Sequence, residues 1–254
     1  MADRKKLAVT FDGSLEGLLC VVYAYYYDGI VPICIQSDDG YQQTLEAEEY
    51  YVSTDIQRAM RVQSGIRKKI SIQVEEYLTY AALAEGDDRF MDMFQYILLG
   101  FKVGRKVDNY LQQDYVLGVH KRARYVGKEA HLLTGFCRFA ETKQGVFYSA
   151  INPVNNVLSI LAEHFQDRMM NQAWIIHDKK RHQAAVYDGN AYIIGDVPKS
   201  VQVDFSDRET QIQELWGAFF DAVTIKERIN KNLQRNLLPL RFRSNMLEFN
   251  LTKW

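Results

Sequence analysis

The opening of the chain carries two short apolar runs with a helically spaced stretch between them. Ser14 is a suitable N-cap for that stretch, and Glu16 would lie in the first helical turn, where the helix dipole favours a negative charge. Because the connection between the runs is long enough for a crossover, the two strands can lie parallel, and the pattern predicts a small α/β unit. Its predicted elements are a strand at 6–11, a helix at 15–27 and a strand at 31–35.

From about residue 53 to residue 128 the apolar residues recur at intervals of three and four, which is the spacing of amphipathic helices. Gly86, Gly104 and Gly127 stand where such helices would end. The pattern predicts helices at 55–66, 72–84, 88–103 and 107–125. The third of them has an apolar face that we interpret as core, formed by Phe90, Met93, Phe94, Ile97 and Leu98.

After Gly127 short runs rich in aromatic and β-branched residues predict strands, and Asp188-Gly189 is typical of a tight hairpin turn. We therefore expect an antiparallel sheet with flanking helices. The predicted strands lie at 131–142, 145–151, 173–177, 183–187 and 191–194. The predicted helices lie at 155–167 and 206–225, and Pro239 is expected to interrupt any helix in the tail.

These patterns predict an α+β protein in three segments: an N-terminal α/β unit at 1–52, a helical segment at 53–128, and an antiparallel sheet with C-terminal helices and a basic tail at 129–254. Hydrophobic residues make up 47% of the 254 residues, enough for a substantial core. No apolar run is long enough to span a membrane, no signal peptide is apparent, and the three widely spaced cysteines suit reduced thiols. We expect a cytoplasmic protein with no membrane partner.

The net charge of −1 conceals a separation of acidic and basic residues along the chain. Residues 7–57 contain nine acidic residues and no lysine or arginine, whereas residues 102–128 contain seven basic residues and two acidic ones. Residues 222–254 again contain seven basic residues and two acidic ones. Such a separation predicts one surface that binds a polyanion, and an acidic part that is solvated or faces a partner.

No established catalytic or cofactor motif stands out in the sequence. The turn after the first strand is placed like an anion site at a helix N-terminus, but it lacks the glycine pattern of a phosphate loop, and Asp12 would repel phosphate. Asp12 is therefore either a cap-and-turn residue or a ligand-binding carboxylate. His177, Asp178 and His182 would form a two-histidine, one-carboxylate metal site only if the loop brought them together. We predict no metal and no cofactor.

His164 and Arg168 are four residues apart, so they share one face of a predicted helix and could grip a phosphate together. The alternative is that both side chains favour the negative end of the helix dipole. Aromatic residues accompany the two basic stretches, including Tyr115 and Tyr125 in the first and Phe242 in the second. Cations beside rings that stack on bases suit single-stranded or distorted nucleic acid, and a solvated helix face is the alternative.

Four stretches of the sequence resemble a bacterial family of uncharacterised proteins ascribed to DNA metabolism or repair. They are TFDGSLEGLLCVVYAYY, GFCRFAET, GVFYSAINPVNNVLSILAEHFQDRMMNQAWIIHDKKR and IKERINKNLQRNLLPLRF, and the third is specific. The residues that match the family pattern are Asp12, Gly13, Glu16, Gly17, Pro153, His164, Phe165, Arg168, Trp174, Asp178, Arg181, Arg228, Asn230, Pro239 and Arg241.

The resemblance implies a link to DNA. Members of that family are usually encoded beside a radical-SAM protein ascribed to DNA repair, and a related domain is fused to uracil-DNA glycosylase-like domains. The glycosylase motifs are absent from this sequence, which argues against a stand-alone glycosylase. The family usually has Arg-Tyr-Trp after the proline, whereas this chain has Arg241-Phe242-Arg243, so stacking there would depend on Phe242.

The leading hypothesis is an accessory protein of DNA metabolism or repair that binds single-stranded or distorted nucleic acid, with a radical-SAM partner docked on its acidic N-terminal unit. One alternative is an enzyme acting on DNA or a nucleotide, in which Asp12, His164, Asp178 and Arg168 meet in one cleft. Another is a scaffold that binds only protein. The sequence leaves open DNA or RNA, the oligomeric state, and whether the basic stretches share one surface. The predicted nucleic-acid-binding residues are Arg168, Arg181, Lys121, Arg122, Arg124, Arg228, Arg235, Arg241 and Arg243.

Overall fold

The computed structural model describes residues 5–38 and 48–250, and the chain divides into two compact units, 1–127 and 128–254. The fold class is α+β, as the sequence predicts. The first unit contains β1 (Lys5–Phe11), α1 (Leu15–Tyr27), β2 (Ile30–Ser37), β3 (Glu49–Tyr51), α2 (Ile56–Lys69), α3 (Ile72–Ala82), α4 (Asp88–Val103) and a 3₁₀ helix (Gly104–Asn109). Helix α5 (Asp114–Phe136) begins in the first unit and ends in the second.

The second unit continues with strands, one crossover helix and a series of C-terminal helices. Its elements are β4 (Ala140–Glu141), β5 (Phe147–Ile151), α6 (Leu158–Arg168), β6 (Trp174–Asp178), β7 (Gln183–Tyr187), β8 (Tyr192–Asp196), α7 (Asp207–Val223), a 3₁₀ turn (Lys226–Arg228), α8 (Lys231–Leu237), α9 (Leu240–Arg243) and α10 (Leu247–Asn250). No helix within the described ranges combines the length and the apolar content that crossing a bilayer requires.

Strand β1 lies at the centre of a three-stranded parallel sheet with the order β2-β1-β3. Its residues from Leu7 to Phe11 are all buried, as expected for a central strand that is covered on both faces. The predicted strand–helix–strand unit with parallel strands is therefore confirmed. The sequence does not predict β3, because three exposed residues are too few to show the period of a strand.

The start of α1 shows close packing that requires a particular residue. The Ser14 hydroxyl accepts a hydrogen bond from the Gly17 backbone N–H at 2.9 Å, so Ser14 caps the helix as predicted. Gly17 lies close to β1 and to the segment before α2: a Cβ atom there would lie 2.6 Å from the Phe11 ring and 2.8 Å from the Thr54 hydroxyl. This position therefore accepts only a residue without a side chain.

Gly17→Ala is expected to lower the free energy of unfolding by about 1–3 kcal/mol, because the added methyl group overlaps Phe11 and Thr54. Chemical denaturation measures this difference. Gly135→Ala in α5 is the matched control, since a Cβ atom there meets no other atom within 4 Å. Alanine should stabilise that helix by up to about 1 kcal/mol. Equal effects of the two substitutions would contradict the steric explanation.

Helix α4 supplies much of the core of the first unit. Phe90, Met93, Phe94 and Ile97 are buried, which confirms that this apolar face is core. The Phe90 ring packs edge-on against the Phe11 ring, with the ring centroids 4.8 Å apart. Because α4 also contacts β2 and the helices α1, α2 and α3, it holds the first unit together.

Helix α5 corrects two predictions, a helix at 107–125 and a strand at 131–142. Residues 104–109 form a 3₁₀ helix, and α5 continues through Gly127 to its end in the second unit. A glycine inside a helix costs only about 1 kcal/mol relative to alanine, and burial of the helix face offsets that cost. Only β4 remains of the predicted strand. The buried spacing of three and four extends past the glycine, with side chains at Ala123, Val126, Ala130 and Leu133.

The second unit contains a five-stranded sheet with the order β4-β5-β6-β7-β8. Three strand pairs are antiparallel, as predicted, but β5 and β6 are parallel, so the predicted antiparallel sheet is in fact mixed. The reason is α6, a crossover helix that lets the chain re-enter the sheet in the same direction. The predicted hairpin at Asp188 is confirmed, because its carboxylate accepts hydrogen bonds from the backbone N–H groups of Asn190 and Ala191.

Candidate functional site

Asp12, the predicted carboxylate of the first unit, lies in the turn between β1 and α1. Its Oδ1 accepts hydrogen bonds from the Ser14 backbone N–H at 3.0 Å and the Ser14 hydroxyl at 2.6 Å, and its Oδ2 accepts one from the Thr54 hydroxyl at 2.7 Å. Partial burial acts to raise the pKa of Asp12, but these hydrogen bonds outweigh burial and lower it. The carboxylate thus ties the turn to the segment before α2, as a cap-and-turn residue does.

Asp178, the predicted carboxylate of the second unit, is completely buried at the end of β6. Its Oδ1 accepts hydrogen bonds from the backbone N–H groups of Lys180 and Arg181 at 2.9 and 3.2 Å. Its Oδ2 lies 3.1 Å from Nη1 of Arg181, which also donates from Nη2 to the Val154 carbonyl. Asp178 and Arg181 therefore fix the turn between β6 and β7 and join it to the loop after β5.

Glu129 is a second buried carboxylate, and the sequence did not single it out. Its side chain is 1% exposed and accepts hydrogen bonds from the backbone N–H groups of Val154 and Asn155 at 3.0 and 2.8 Å. It also accepts one from the Asn155 side chain at 2.7 Å, and Arg241 Nη2 lies 3.3 Å from its Oε1. Glu129 thus holds the loop after β5 and anchors the basic tail to α5.

His164 and Arg168 both lie on α6, as predicted. The His164 ring packs edge-on against Phe165, and its Nε2 is buried without a hydrogen-bond partner among the described residues. Arg168 is exposed at the last residue of the helix, where a cation stabilises the helix dipole. His164 and Asp178 belong to the second unit, whereas Asp12 belongs to the first.

Four of the nine predicted phosphate-binding cations are engaged within the protein. Arg181 and Arg241 pair with the two buried carboxylates described above. Arg122 bridges Asp88 and Asp92, and Arg243 donates to the Leu238 carbonyl. The other five are exposed and have no ion pair with another described residue; they are Lys121, Arg124, Arg168, Arg228 and Arg235.

A cleft of about 750 Å³ opens among α1, α2 and α4, and we call it the α1–α2–α4 cleft. One part of its lining is aromatic: Tyr26 and Tyr27 at the end of α1 are 48% and 57% exposed, and Phe101 of α4 lies beside them. The rings of Tyr26 and Phe101 pack edge-on, with centroids 5.8 Å apart. Exposed rings held in this way can stack against a flat ligand.

The other part of the lining is cationic. Arg61, Lys68 and Lys69 of α2 and Lys102 of α4 are exposed and line the cleft, and no carboxylate of the described residues lines it. The Arg61 guanidinium lies over the Tyr27 ring, 4.8 Å from its centroid. The cleft therefore combines four cations with three aromatic rings, and it suits an anionic ligand that has flat groups.

Sequence reasoning missed this cleft, although two signals were present. Residues 25–27 are three consecutive tyrosines, and 67–69 are three consecutive basic residues at the end of one helix. The simple explanation for the basic run is that cations stabilise a helix C-terminus. Arg67 is in fact engaged with Glu75, whereas its two neighbours face the cleft. Only the packing of three helices brings the tyrosines and lysines together.

A carboxylate–imidazole pair lies elsewhere in the first unit. His120 Nε2 lies 3.0 Å from Asp108 Oδ1, which also accepts a hydrogen bond from the buried Tyr96 hydroxyl. Burial raises the pKa of Tyr96, and its bond to Asp108 adds to the effect. The His120 ring lines a cleft of about 290 Å³ together with Tyr80 and Arg124. Since Nε2 donates to a carboxylate, Nδ1 is the basic nitrogen of the ring.

The second unit has its own cleft, of about 390 Å³, against its sheet. The Tyr148 hydroxyl lies 2.8 Å from Nδ1 of His177, and both residues line this cleft. Burial lowers the pKa of His177, with help from the charge of Lys179, and burial raises the pKa of Tyr148. Both shifts favour the uncharged forms, so a neutral hydroxyl and a neutral imidazole share this hydrogen bond. No group of three or more possible metal ligands occurs in the described parts of the chain, so His177, Asp178 and His182 form no such cluster.

The buried imidazole predicts a dependence of stability on pH. The unfolded chain binds a proton at His177 near pH 6.5, but the folded protein binds it only at lower pH. The free energy of unfolding should therefore fall as the pH drops from about 7 to 5, and His177→Gln should remove part of that fall. Urea denaturation at several pH values measures it. His131→Gln, at an exposed histidine, is the control. If the free energy of unfolding of His177→Gln falls with pH as steeply as that of the wild type, His177 is not the cause of the fall.

The sequence of the chain was compared with protein families, curated proteins and solved structures. A family model described as a domain of unknown function, DUF4130, matches residues 87–248, more than half of the chain. The chain belongs to the DUF4130 family. No curated protein matches the chain, and no solved structure matches it. Membership of an uncharacterised family is thus confirmed, while the link to DNA stays a prediction.

The DUF4130 region covers only part of the candidate sites. It contains α4 and the elements after it, including His164 and Asp178, but Asp12 precedes it. Of the three walls of the α1–α2–α4 cleft, only α4 belongs to the DUF4130 region, and it contributes Phe101 and Lys102. The tyrosines and the other cations come from the part of the chain before residue 87.

Proposed function

We propose that this DUF4130 protein is an accessory protein of DNA metabolism or repair that binds single-stranded or distorted DNA in the α1–α2–α4 cleft. The observation that carries the proposal is the lining of that cleft, which joins four exposed cations to three aromatic rings and includes no carboxylate from residues 5–38 or 48–250. Cations neutralise backbone phosphates and release counterions, and aromatic side chains stack on unpaired bases.

Unpaired bases are favoured over an intact duplex for a geometric reason. In a duplex the flat faces of the bases stack on one another, so Tyr26, Tyr27 and Phe101 could reach only the backbone and groove edges. In a single strand or a distorted site the bases are free to stack on these rings. The resemblance described above favours DNA over RNA as the natural ligand.

A fluorescence anisotropy titration of the full chain tests the proposal. The probes are a labelled oligothymidine of about 16 nucleotides and a duplex of the same length, at salt concentrations from about 0.05 to 0.2 M. We expect tighter binding to the single strand and a slope of log K against log salt near −3, from about 0.7 for each of four cations. No binding at the lowest salt, or binding that salt leaves unchanged, would refute the proposal.

Stacking on Tyr27 should contribute separately from charge. Tyr27→Ala is expected to weaken oligothymidine binding by about 1–3 kcal/mol without changing the salt slope, since it removes a ring and no charge. Tyr27→Phe should bind like the wild type because it keeps the ring. Tyr51→Ala is the control, because Tyr51 is 53% exposed but does not line the cleft. Equal losses in Tyr27→Ala and Tyr51→Ala would remove the case for stacking in the cleft.

A radical-SAM protein as partner is part of the same proposal, and the resemblance alone supports it. Several acidic residues of the N-terminal stretch are already engaged: Asp28 pairs with Arg58, and Asp55 caps α2. Docking on an acidic surface would therefore depend on other exposed carboxylates, and Asp39 and Glu46 lie outside the described residues. Size-exclusion chromatography of the two purified proteins tests this docking. We expect them to elute together, and we expect a variant with three carboxylates neutralised to elute separately from the partner. The carboxylates to neutralise are Glu16, Asp38 and Glu48.

An enzyme acting on DNA or a nucleotide is the second candidate function. The Asp108–His120 pair favours it, because a carboxylate orients an imidazole beside a cleft that Arg124 also lines. Incubation with labelled single-stranded DNA or nucleotides, followed by separation of the products, tests this candidate. We expect any product to disappear in His120→Gln; product formed equally by His120→Gln, or none by the wild type, rejects this site.

A further inference from the structure

Helix α7 presents its apolar side away from the rest of its unit. Leu215 is 69% exposed, Phe219 57% and Val223 55%, whereas large apolar side chains on a helix normally face a core. These positions are three or four residues apart, so they form one continuous stripe. We call this stripe the α7 patch; its residues are Ile212, Leu215, Trp216, Phe219 and Val223.

The side of α7 that faces its own unit buries few apolar side chains. Glu209 and Gly217 are the buried residues of the helix. Glu209 Oε2 accepts a hydrogen bond from the Glu141 backbone N–H at 3.0 Å, and its Oε1 accepts one from the Gln213 side chain at 2.9 Å. These polar contacts attach the helix together with Phe220, whose ring centroid lies 6.5 Å from that of Phe249 in α10. The apolar stripe on the other side of α7 remains exposed.

The segment after α7 continues the apolar surface. Leu233 and Leu237 of α8 are 55% and 65% exposed, and Leu240 of α9 is 59% exposed. A groove of about 320 Å³ is lined by this segment together with Phe220 of α7 and Phe249 of α10. Exposed apolar surface this extensive marks an interaction site in a soluble protein. We call this second part the tail patch; its residues are Ile225, Ile229, Leu233, Leu237 and Leu240.

The two patches carry opposite charge. Helix α7 has four acidic residues and one arginine, and the exposed Glu214 and Asp221 are among the acidic ones. Residues 225–240 have four basic residues and one glutamate, and the exposed Lys231 and Arg235 are among the basic ones. An acidic apolar helix and a basic apolar segment in one chain are complementary to each other. In a single copy both patches are exposed to solvent, so neither patch covers the other.

We propose that a second copy of this chain covers both patches. The α7 patch of each copy lies on the tail patch of the other, and the two copies are related by a two-fold axis. Such an interface is isologous, since each copy contributes the same surface and each acidic helix meets a basic segment. A stable interface buries about 800 Å² on each partner, mostly with an apolar centre and a charged rim.

Two other occupants fit less well. An anionic membrane surface or a nucleic acid would be attracted by Lys231 and Arg235, but the acidic residues of α7 beside them would repel it. A copy of the same chain meets both charges at once. Binding of the patches to anionic vesicles or DNA in place of self-association is therefore an outcome that would overturn the proposal.

Analytical ultracentrifugation of the full chain measures the association directly. We expect a concentration-dependent dimer, and we expect Phe219→Glu to raise the dimer Kd by about 30-fold or more, as for a central apolar contact. Ile193→Glu is the matched control, because Ile193 is 72% exposed on β8, outside both patches. Circular dichroism confirms that both variants fold. A wild type that stays monomeric, or a dimer that Phe219→Glu leaves unchanged, would overturn the proposal.

Charge exchange between the patches tests the arrangement itself. One variant carries Glu214→Lys and Asp221→Lys, and the other carries Lys231→Glu and Arg235→Glu. Each variant alone should dimerise more weakly than the wild type, because like charges then face each other across the two-fold axis. An equal mixture of the two should recover the dimer, since every α7 then meets a tail patch of opposite charge. Failure of the mixture to associate better than either variant alone would refute this arrangement.

Discussion

Replacing Lys68 and Lys69 by glutamine is expected to weaken the binding of oligothymidine by on the order of a hundredfold at about 0.05 M salt. Each phosphate contact with a single strand contributes about 0.7 to the salt slope, which amounts to nearly tenfold in affinity at that salt. Both lysines are exposed, line the α1–α2–α4 cleft and have no ion pair with another described residue, so both charges are available to a ligand. The salt slope should fall by about 1.4 in the double variant.

The matched control uses two cations outside the cleft. Lys121 and Arg124 are also exposed and belong to a basic stretch of the sequence, but they do not line the α1–α2–α4 cleft. Lys121→Gln with Arg124→Gln changes the net charge by the same amount, so it corrects for attraction between the whole protein and DNA. If both double variants lose affinity equally, the cleft is not the binding site and general charge explains the interaction.

Glu129→Gln is expected to lower the free energy of unfolding by about 2–4 kcal/mol, because the buried carboxylate loses charged hydrogen bonds from two backbone N–H groups. The amide keeps the size of the side chain but brings an NH₂ group to backbone N–H donors, and it no longer balances the charge of Arg241. Thermal or urea denaturation measures the loss. Glu163→Gln on α6 makes the same chemical change at an exposed position and should have little effect.

The contact between Glu129 and Arg241 allows a test of whether Arg241 stabilises the fold or binds DNA. Arg241→Gln should also destabilise the second unit, because it leaves the charge of Glu129 buried without its cation. It should not change oligothymidine affinity, measured at a temperature where the protein is folded. If Arg241→Gln has normal stability but binds DNA more weakly, Arg241 binds DNA, as the sequence predicts.

Local chemistry made the first unit predictable from sequence. Ser14 and its turn define the start of α1, and short apolar runs define β1 and β2, because these signals depend on neighbours along the chain. The path of α5 through Gly127 was missed because the glycine resembles a helix end until its packing is known. The parallel pairing of β5 and β6 was missed for a similar reason, since strand partners are chosen by long-range contacts.

The candidate site was harder to predict than the fold. The basic residues of α5 and the tail were identified by counting charge, which does not show that Arg122 and Arg241 pair with carboxylates. The α1–α2–α4 cleft takes its residues from three helices, and Lys68, Lys69 and Tyr27 are far apart in sequence from Lys102. The spacing of apolar residues along the sequence predicts single helices but not which helices pack together. A site formed between helices therefore cannot be recognised from that spacing.

The start of the DUF4130 region separates α4 from the elements that cover it. Residue 87 falls immediately before α4, whose buried side packs against α1, β2, α2 and α3, all of which precede the region. A relative that inherited only this region would expose Phe90, Met93, Phe94 and Ile97 to water, at a cost of about 1.5–3 kcal/mol for each side chain. In this chain the buried side of α4 therefore depends for its cover on elements that precede residue 87. The same elements supply two walls of the α1–α2–α4 cleft, so the layer that keeps α4 dry is also the layer that carries most of the cleft's cations and both of its tyrosines.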